Sequence, residues 1–239
     1  MFESIALLGF GQGSWGLALL QGAFVTIALA LCCLPFGLAL GLLVAMGSRS
    51  RSTLARGTAY GFSTVFRGLP ELLTLFLVYY GFEIAVEQIF AAAHIDADVS
   101  INPFFAAFVA LSVVLAAFSS EVWLGAFKSI PKGQYEAAHA LGLSKAKTFF
   151  SIVLPQLLRI ALPGLSNNWL TLLKDTALVS TISLVDVMRQ TNLAVSETKE
   201  PILFYGAACA IYLFFSALSG RLFAFAEHHF GRGHHRARV

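Results

Sequence analysis

Between Glu3 and Arg49 the chain carries no charged residue, and this run decides its solvent. A helix needs about 20 mainly apolar residues to cross a hydrocarbon core roughly 30 Å thick. The stretch 17–46 supplies them, with Pro35 placed to kink it. Four more apolar segments follow, at about 60–89, 103–127, 161–185 and 202–225. Charged residues are only 12% of the chain, about half the share that coats a soluble domain. An ordinary soluble enzyme is thereby excluded. A net charge of +3 without long basic runs also excludes a disordered or nucleic-acid-coating protein. The sequence predicts an all-α membrane protein of five transmembrane helices, one domain over 1–239 with its core at about 17–228.

Basic residues alternate between the connections as five spans require. Arg49, Arg51 and Arg56 follow the first span, none lies between Glu87 and Asn102, and Lys128, Lys132, Lys145 and Lys147 follow the third. The segment from Asp186 to Glu200 is mixed, and the tail carries Arg232, Arg236 and Arg238. By the positive-inside rule the N-terminus is outside and the C-terminus cytoplasmic. Splitting the first segment into two spans would break the pattern. Glu3 and the long apolar run behind it argue against a cleavable signal. Cys32, Cys33 and Cys209 stand in apolar runs without metal-ligand spacing, as buried inert thiols do.

The basic loop at about 128–156 carries helix signals. Pro131 suits a first turn, Glu136, Ala137 and Ala138 favour helix, and Gly142 stands where a left-handed C-terminal cap belongs. This predicts a helix of about ten residues. Ser144 then caps a second helix, whose Phe149, Phe150, Val153 and Leu154 face the membrane boundary until Pro155 ends it. On these signals alone the first helix is either a solvated connector or a surface for another protein.

The run Glu136-Ala-Ala-x-x-x-Gly142, followed by Ile152-x-Leu154-Pro155, resembles the EAA loop of ABC importer permeases. Phe66-Arg-Gly-x-Pro-Glu-Leu72, Lys132-Gly-Gln, Leu154-Pro-Gln and Leu173-Lys-x-Thr-Ala-Leu-Val179 resemble the polar amino acid permeases. Asn167-Asn-Trp169, Val185-Asp-Val187 and Glu200-Pro201 are most similar to the first permease subunit of histidine/lysine-arginine-ornithine and opine uptake systems. The resemblance covers about residues 17–230. It implies the type I ABC importer transmembrane fold in a bacterial inner membrane. It also implies a coupling helix, with Glu136, Ala137, Ala138, Leu141 and Gly142 docking on an ATP-binding subunit dimer. Further partners are a second homologous permease, in a heterodimer, and an external amino-acid-binding protein. The chain has no phosphate-binding loop, since Gly9-x-Gly11-x-Gly13 lacks the following Lys-Ser/Thr, so ATP and Mg belong to the partner.

A few charges fall in or near the spans, where each costs about 2.5–3.5 kcal/mol at the bilayer centre. Arg67 and Glu71 flank Gly68 and Pro70, which should break the second span. They either pair on one helical face or line a cavity in which an acid attracts a cationic substrate. Asn167, Thr171 and Lys174, with Asp175, put polar groups on one face of the fourth span, for a translocation path or for hydrogen bonds at the permease dimer seam. Glu121 suits pairing with a loop Lys or Arg, and Arg159 and Arg221 suit snorkelling to headgroups. His228, His229, His234 and His235 read as a solvated tail rather than a metal site. A self-sufficient secondary transporter or channel is the rival reading, and it leaves the loop helix unexplained. No Ser/His dyad, HExxH or paired-carboxylate spacing supports an intramembrane enzyme.

Overall fold

The computed structural model describes residues 6–11, 13–92 and 102–231. Glu3, His234, His235 and the tail arginines named above lie outside them. The long helices are α1 (Gly16–Ser48), α2 (Thr53–Gly68), α3 (Glu71–Ala92) and α4 (Pro103–Ser129). The loop helix α5 (Lys132–Ala140) follows. Next comes one continuous helical rod. It runs through α6 (Lys145–Thr148), a π-helical turn (Phe149–Val153), α7 (Leu154–Asp175) and a 3₁₀ stretch (Thr176–Ile182). The last two helices are α8 (Val187–Thr198) and α9 (Pro201–Gly231). Among the described residues five segments are long and apolar enough to cross a membrane: Gly16–Ser48, Glu71–Phe90, Pro103–Ser129, Lys145–Ile182 and Pro201–His228.

Helix α4 is the centre of the bundle: 61% of its most apolar stretch is buried, against 11% for α3 and 17% for the last span. Its buried face is built largely from small residues, including Ala106, Ala110, Ala116, Ala117, Ser119 and Ser120. Lipid tails give apolar side chains no reason to leave them, so helices associate through close packing and interhelical hydrogen bonds. Both occur where α4 meets α1. A Cβ at Gly37 would come within 2.5 Å of the Leu115 side chain, and one at Gly41 within 2.8 Å of the Ala116 carbonyl. The Trp123 indole N–H donates to the Leu38 carbonyl at 3.1 Å, and the Ser119 hydroxyl to the Gly37 carbonyl at 3.3 Å.

Three boundaries are corrected. The second apolar segment breaks where Gly68 and Pro70 are expected to break it, but the membrane-length helix starts at Glu71 rather than at residue 60. Pro70 forces Leu69 into an extended conformation (φ −87°, ψ 141°), which ends α2 and restarts the chain as α3. Pro155 does not end its helix. The turn before it widens to π register, with the Leu154 N–H bonding the Phe149 carbonyl, and the proline falls in the first turn of α7. That register absorbs the missing N–H and the ring, so the span starts well before residue 161. The connection from Asp186 to Glu200 is mostly helix, capped by an Asp186 carboxylate oxygen that accepts from the Arg189 N–H at 2.8 Å. Helix α8 seats on α1 at Gly22, where a Cβ would come within 2.7 Å of the Asp186 carbonyl.

Candidate functional site

Helix α5 is nine residues long and stands outside the five spans. Pro131 precedes it in an extended conformation. At its end Gly142 takes φ +68°, the Gly142 N–H bonds the His139 carbonyl at 2.9 Å, and the Leu143 N–H bonds the Ala138 carbonyl at 3.1 Å. This pair of bonds is a Schellman cap, and its left-handed residue favours glycine. Ser144 accepts from the Lys147 N–H at 3.3 Å and opens the next helix. Glu136, Ala137, Leu141 and Gly142 are exposed. Ala138 is different, at 1% exposure: it turns inward and seats the helix. A hydrogen bond of 3.3 Å between Gln134 and Gln156 also ties α5 to the rod.

The ionic partners differ from the expected Arg67–Glu71 pair. Those residues belong to separate helices, and Arg67 reaches Glu121 on α4 instead, Nη1 to Oε1 at 3.0 Å. Arg67 stands in the last turn of α2, where the helix dipole favours a cation. Glu71 is the first residue of α3, where it favours an anion. Released from Arg67, Glu71 lies within electrostatic reach of Asp175, which has Lys174 beside it.

Asn167, Asn168, Thr171 and Asp175 line a cavity of about 160 Å³ between α7 and the Leu111–Phe118 stretch of α4. Asn168 Nδ2 is buried there without a partner among the described residues. Asn168 stands off the face shared by Asn167, Thr171 and Lys174, and the burial of its amide is legible only once α4 is in place. Lys174 is exposed and borders a neighbouring groove beside Tyr205 and Tyr212 of α9. The fold thus gathers Asn167, Thr171 and Asp175 in one cavity, with Glu71 in reach. It separates Arg67, which is tied to Glu121.

Residues 37–227 match the family described as "Binding-protein-dependent transport system inner membrane component". The octopine transport system permease protein OccQ of Rhizobium radiobacter is 37% identical over 227 residues, 95% of this chain and 96% of that one. The histidine/lysine/arginine/ornithine transport system permease protein HisQ of Escherichia coli is 37% identical over 219 residues, 92% and 96% of the two chains. The arginine ABC transporter permease protein ArtQ of Escherichia coli is 39% identical over 213 residues, 84% and 90%. Among solved structures, an amino acid ABC transporter with histidines superposes with a TM-score of 0.76 at 26% identity, covering 90% of this chain and 95% of that one. The fold is also that of the MetNI methionine ABC transporter, with a TM-score of 0.71 at 19% identity.

Proposed function

The chain belongs to the family of binding-protein-dependent transport system inner membrane components, and we propose that it forms the translocation path of an ATP-driven importer of a basic amino acid or an opine. The N-terminus is outside and the C-terminus cytoplasmic, so that Arg49, Lys128, Lys132 and Lys145 face the cytosol. ATP and Mg are held by a dimer of ATP-binding subunits. A second, homologous permease completes a heterodimer, and an external binding protein delivers the substrate.

One observation supports the coupling role above others. Helix α5 is capped at Gly142 and offers an exposed patch in which Ala137 and Gly142 let another backbone approach, with Glu136 and Leu141 beside them. Docking there lets an ATPase push on the rod that starts at Lys145 and carries Asn167, Thr171 and Asp175. The relatives named above are those of octopine, arginine and other basic amino acid systems. A cationic substrate suits Glu71 and Asp175, two acids within each other's field.

The test is reconstitution of the chain with its partner permease, ATPase and binding protein in liposomes. Labelled arginine, histidine and octopine should enter only with internal ATP, and Asp175→Asn or Glu71→Gln should cut uptake severalfold more than ATPase turnover. Uptake that persists without ATP, or an ATPase that fails to copurify, would sink the reading in favour of a self-sufficient transporter.

A further inference from the structure

Behind α5, where α1 and α4 end and the rod begins, lies a cavity of about 630 Å³. Its polar wall carries Arg49, His139 and Lys145, and its apolar wall Met46, Phe149 and Val153. Arg49 lies over the Phe127 ring, its Cζ 4.3 Å from the centroid. No carboxylate among the described residues stands within ion-pair distance of Arg49, His139 or Lys145. Tyr135 also lines the cavity, and its hydroxyl is buried without a hydrogen-bond partner among the described residues. A second hollow of about 530 Å³ shares Arg49, Phe127 and Tyr135, adds Lys128 and Lys132, and is bordered by one carboxylate, Glu136.

These features describe a site for an amphiphile. Unpaired cations and an orphaned hydroxyl call for an anionic oxygen that accepts their hydrogen bonds, and the apolar wall calls for a hydrocarbon. Arg49 directly follows α1, Lys128 lies in the last turn of α4 and Lys145 begins the fourth span, so the basic groups stand at the level where the spans leave the membrane. A soluble anion would use the cations and leave Met46, Phe149 and Val153 idle. Basic pockets between helices on the cytoplasmic side of membranes take anionic lipid headgroups.

We propose that this cavity holds the phosphate headgroup of an anionic phospholipid of the cytoplasmic leaflet, which braces α5 from behind. The phosphate meets Arg49, Lys145, His139 and the Tyr135 hydroxyl, and an acyl chain runs over Met46 and Phe149. The inference rests on the cytoplasmic placement of the loop proposed above. It adds a lipid requirement to the coupling helix: an α5 wedged against a headgroup transmits a push that an empty cavity would absorb.

The test is native mass spectrometry of the permease pair released from nanodiscs containing phosphatidylcholine with phosphatidylglycerol or cardiolipin. Wild type should retain anionic lipid preferentially. The double variant Arg49→Gln/Lys145→Gln should retain roughly 25-fold less, about fivefold for each basic residue at the surface. Arg51→Gln/Arg56→Gln, which removes two cations that do not line the cavity, should match wild type within about twofold. Equal loss in both double variants would mean diffuse surface charge and overturn the site, as would no loss in either. Millimolar inorganic phosphate that strips the lipid would overturn it in favour of a soluble anion. Should the first double variant fail to assemble, Tyr135→Phe alone must still lower retention. The readout needs no ATPase, so lipid retained without ATPase copurification would fault the importer reading and leave the site standing.

Discussion

The residue that most sharply tests the coupling loop is Gly142. Its φ of +68° lies in the left-handed region, and no heavy atom stands within 4 Å of where a Cβ would be. A side chain there meets no steric wall within the chain, so its cost is conformational, about 1–2 kcal/mol for an L-residue in this region. Since 1.4 kcal/mol is a factor of ten, Gly142→Ala should weaken the capped state about tenfold, and the β-branched Gly142→Val by more. Asparagine tolerates the left-handed region, so Gly142→Asn should keep most of the cap while adding bulk. The ratio of ATP hydrolysed to amino acid imported, measured in proteoliposomes, should therefore rise in the order wild type, Asn, Ala, Val. Gly133 is the internal control. It is in α5 with an ordinary φ and open space around its Cβ, and Gly133→Ala should stabilise α5 by roughly 0.5–1 kcal/mol without uncoupling. A Val variant with the wild-type ratio would refute the coupling assignment. An Asn variant as damaged as Val would show that bulk against the partner, and not the cap, is what matters.

Other sites give independent checks. Gly41→Ala should lower the stability of the purified protein by about 1–3 kcal/mol, because its Cβ meets the Ala116 carbonyl at 2.8 Å and the Ser119 hydroxyl. Gly57→Ala, with nothing near its Cβ, should stabilise by about 0.5–1 kcal/mol; thermal denaturation in detergent separates the two. In double-mutant cycles Arg67 should couple to Glu121 by no more than about 1 kcal/mol, since both side chains are over 40% exposed, and to Glu71 not at all. A larger coupling to Glu71 would restore the discarded pair. Burial pushes the Asp186 carboxyl from 3.8 up to about 6, against backbone hydrogen bonds from Arg189 and Met188 that lower it. The folded state thus binds this proton more tightly than the unfolded one, and stability falls as pH rises from about 4 to 6, by roughly 2–3 kcal/mol in all. Amide exchange at residues 187–190, corrected for intrinsic rates, should be slowest at the acid end and lose this dependence in Asp186→Asn. Protection that grows with pH over that window would contradict it.

What the sequence revealed and what it concealed follow from range. The five spans, the α5 cap and the Ser144 cap were legible because each is written in neighbouring residues: an uncharged run, a glycine after a helical stretch, a serine before one. The failures lay where a neighbour in space decides. Glu71 stands four residues from Arg67, but Pro70 puts them on different helices and Glu121 takes the arginine. Nothing in the mixed charges of 186–200 announces helix α8, which docks on α1 at Gly22. The Gly37-x-x-x-Gly41 spacing was a signal for close helix packing that the sequence carried openly, and its partner α4 appears only in the fold.

The continuity of the rod changes how the coupling loop relates to the polar cavity. Had Pro155 ended a helix, a push on α5 would have reached the fourth span through a flexible joint. Instead the rod runs unbroken for 38 residues from Lys145 to Ile182, about 57 Å at 1.5 Å per residue. Its first turn is three residues beyond Gly142, and Asn167, Thr171 and Asp175 stand on it further along. Packed helical elements are one physical route by which displacements carry over such distances, and the rod stays helical through Pro163 in its interior. Under the coupling proposed above, a tilt at the α5 end is answered at the cavity wall against Leu111 and Phe118, while close packing at Gly37 and Gly41 and the Trp123 bond hold α4 to α1. In that proposal α4 is the held wall and the rod is the lever, an arrangement that suits opening and closing a path between them.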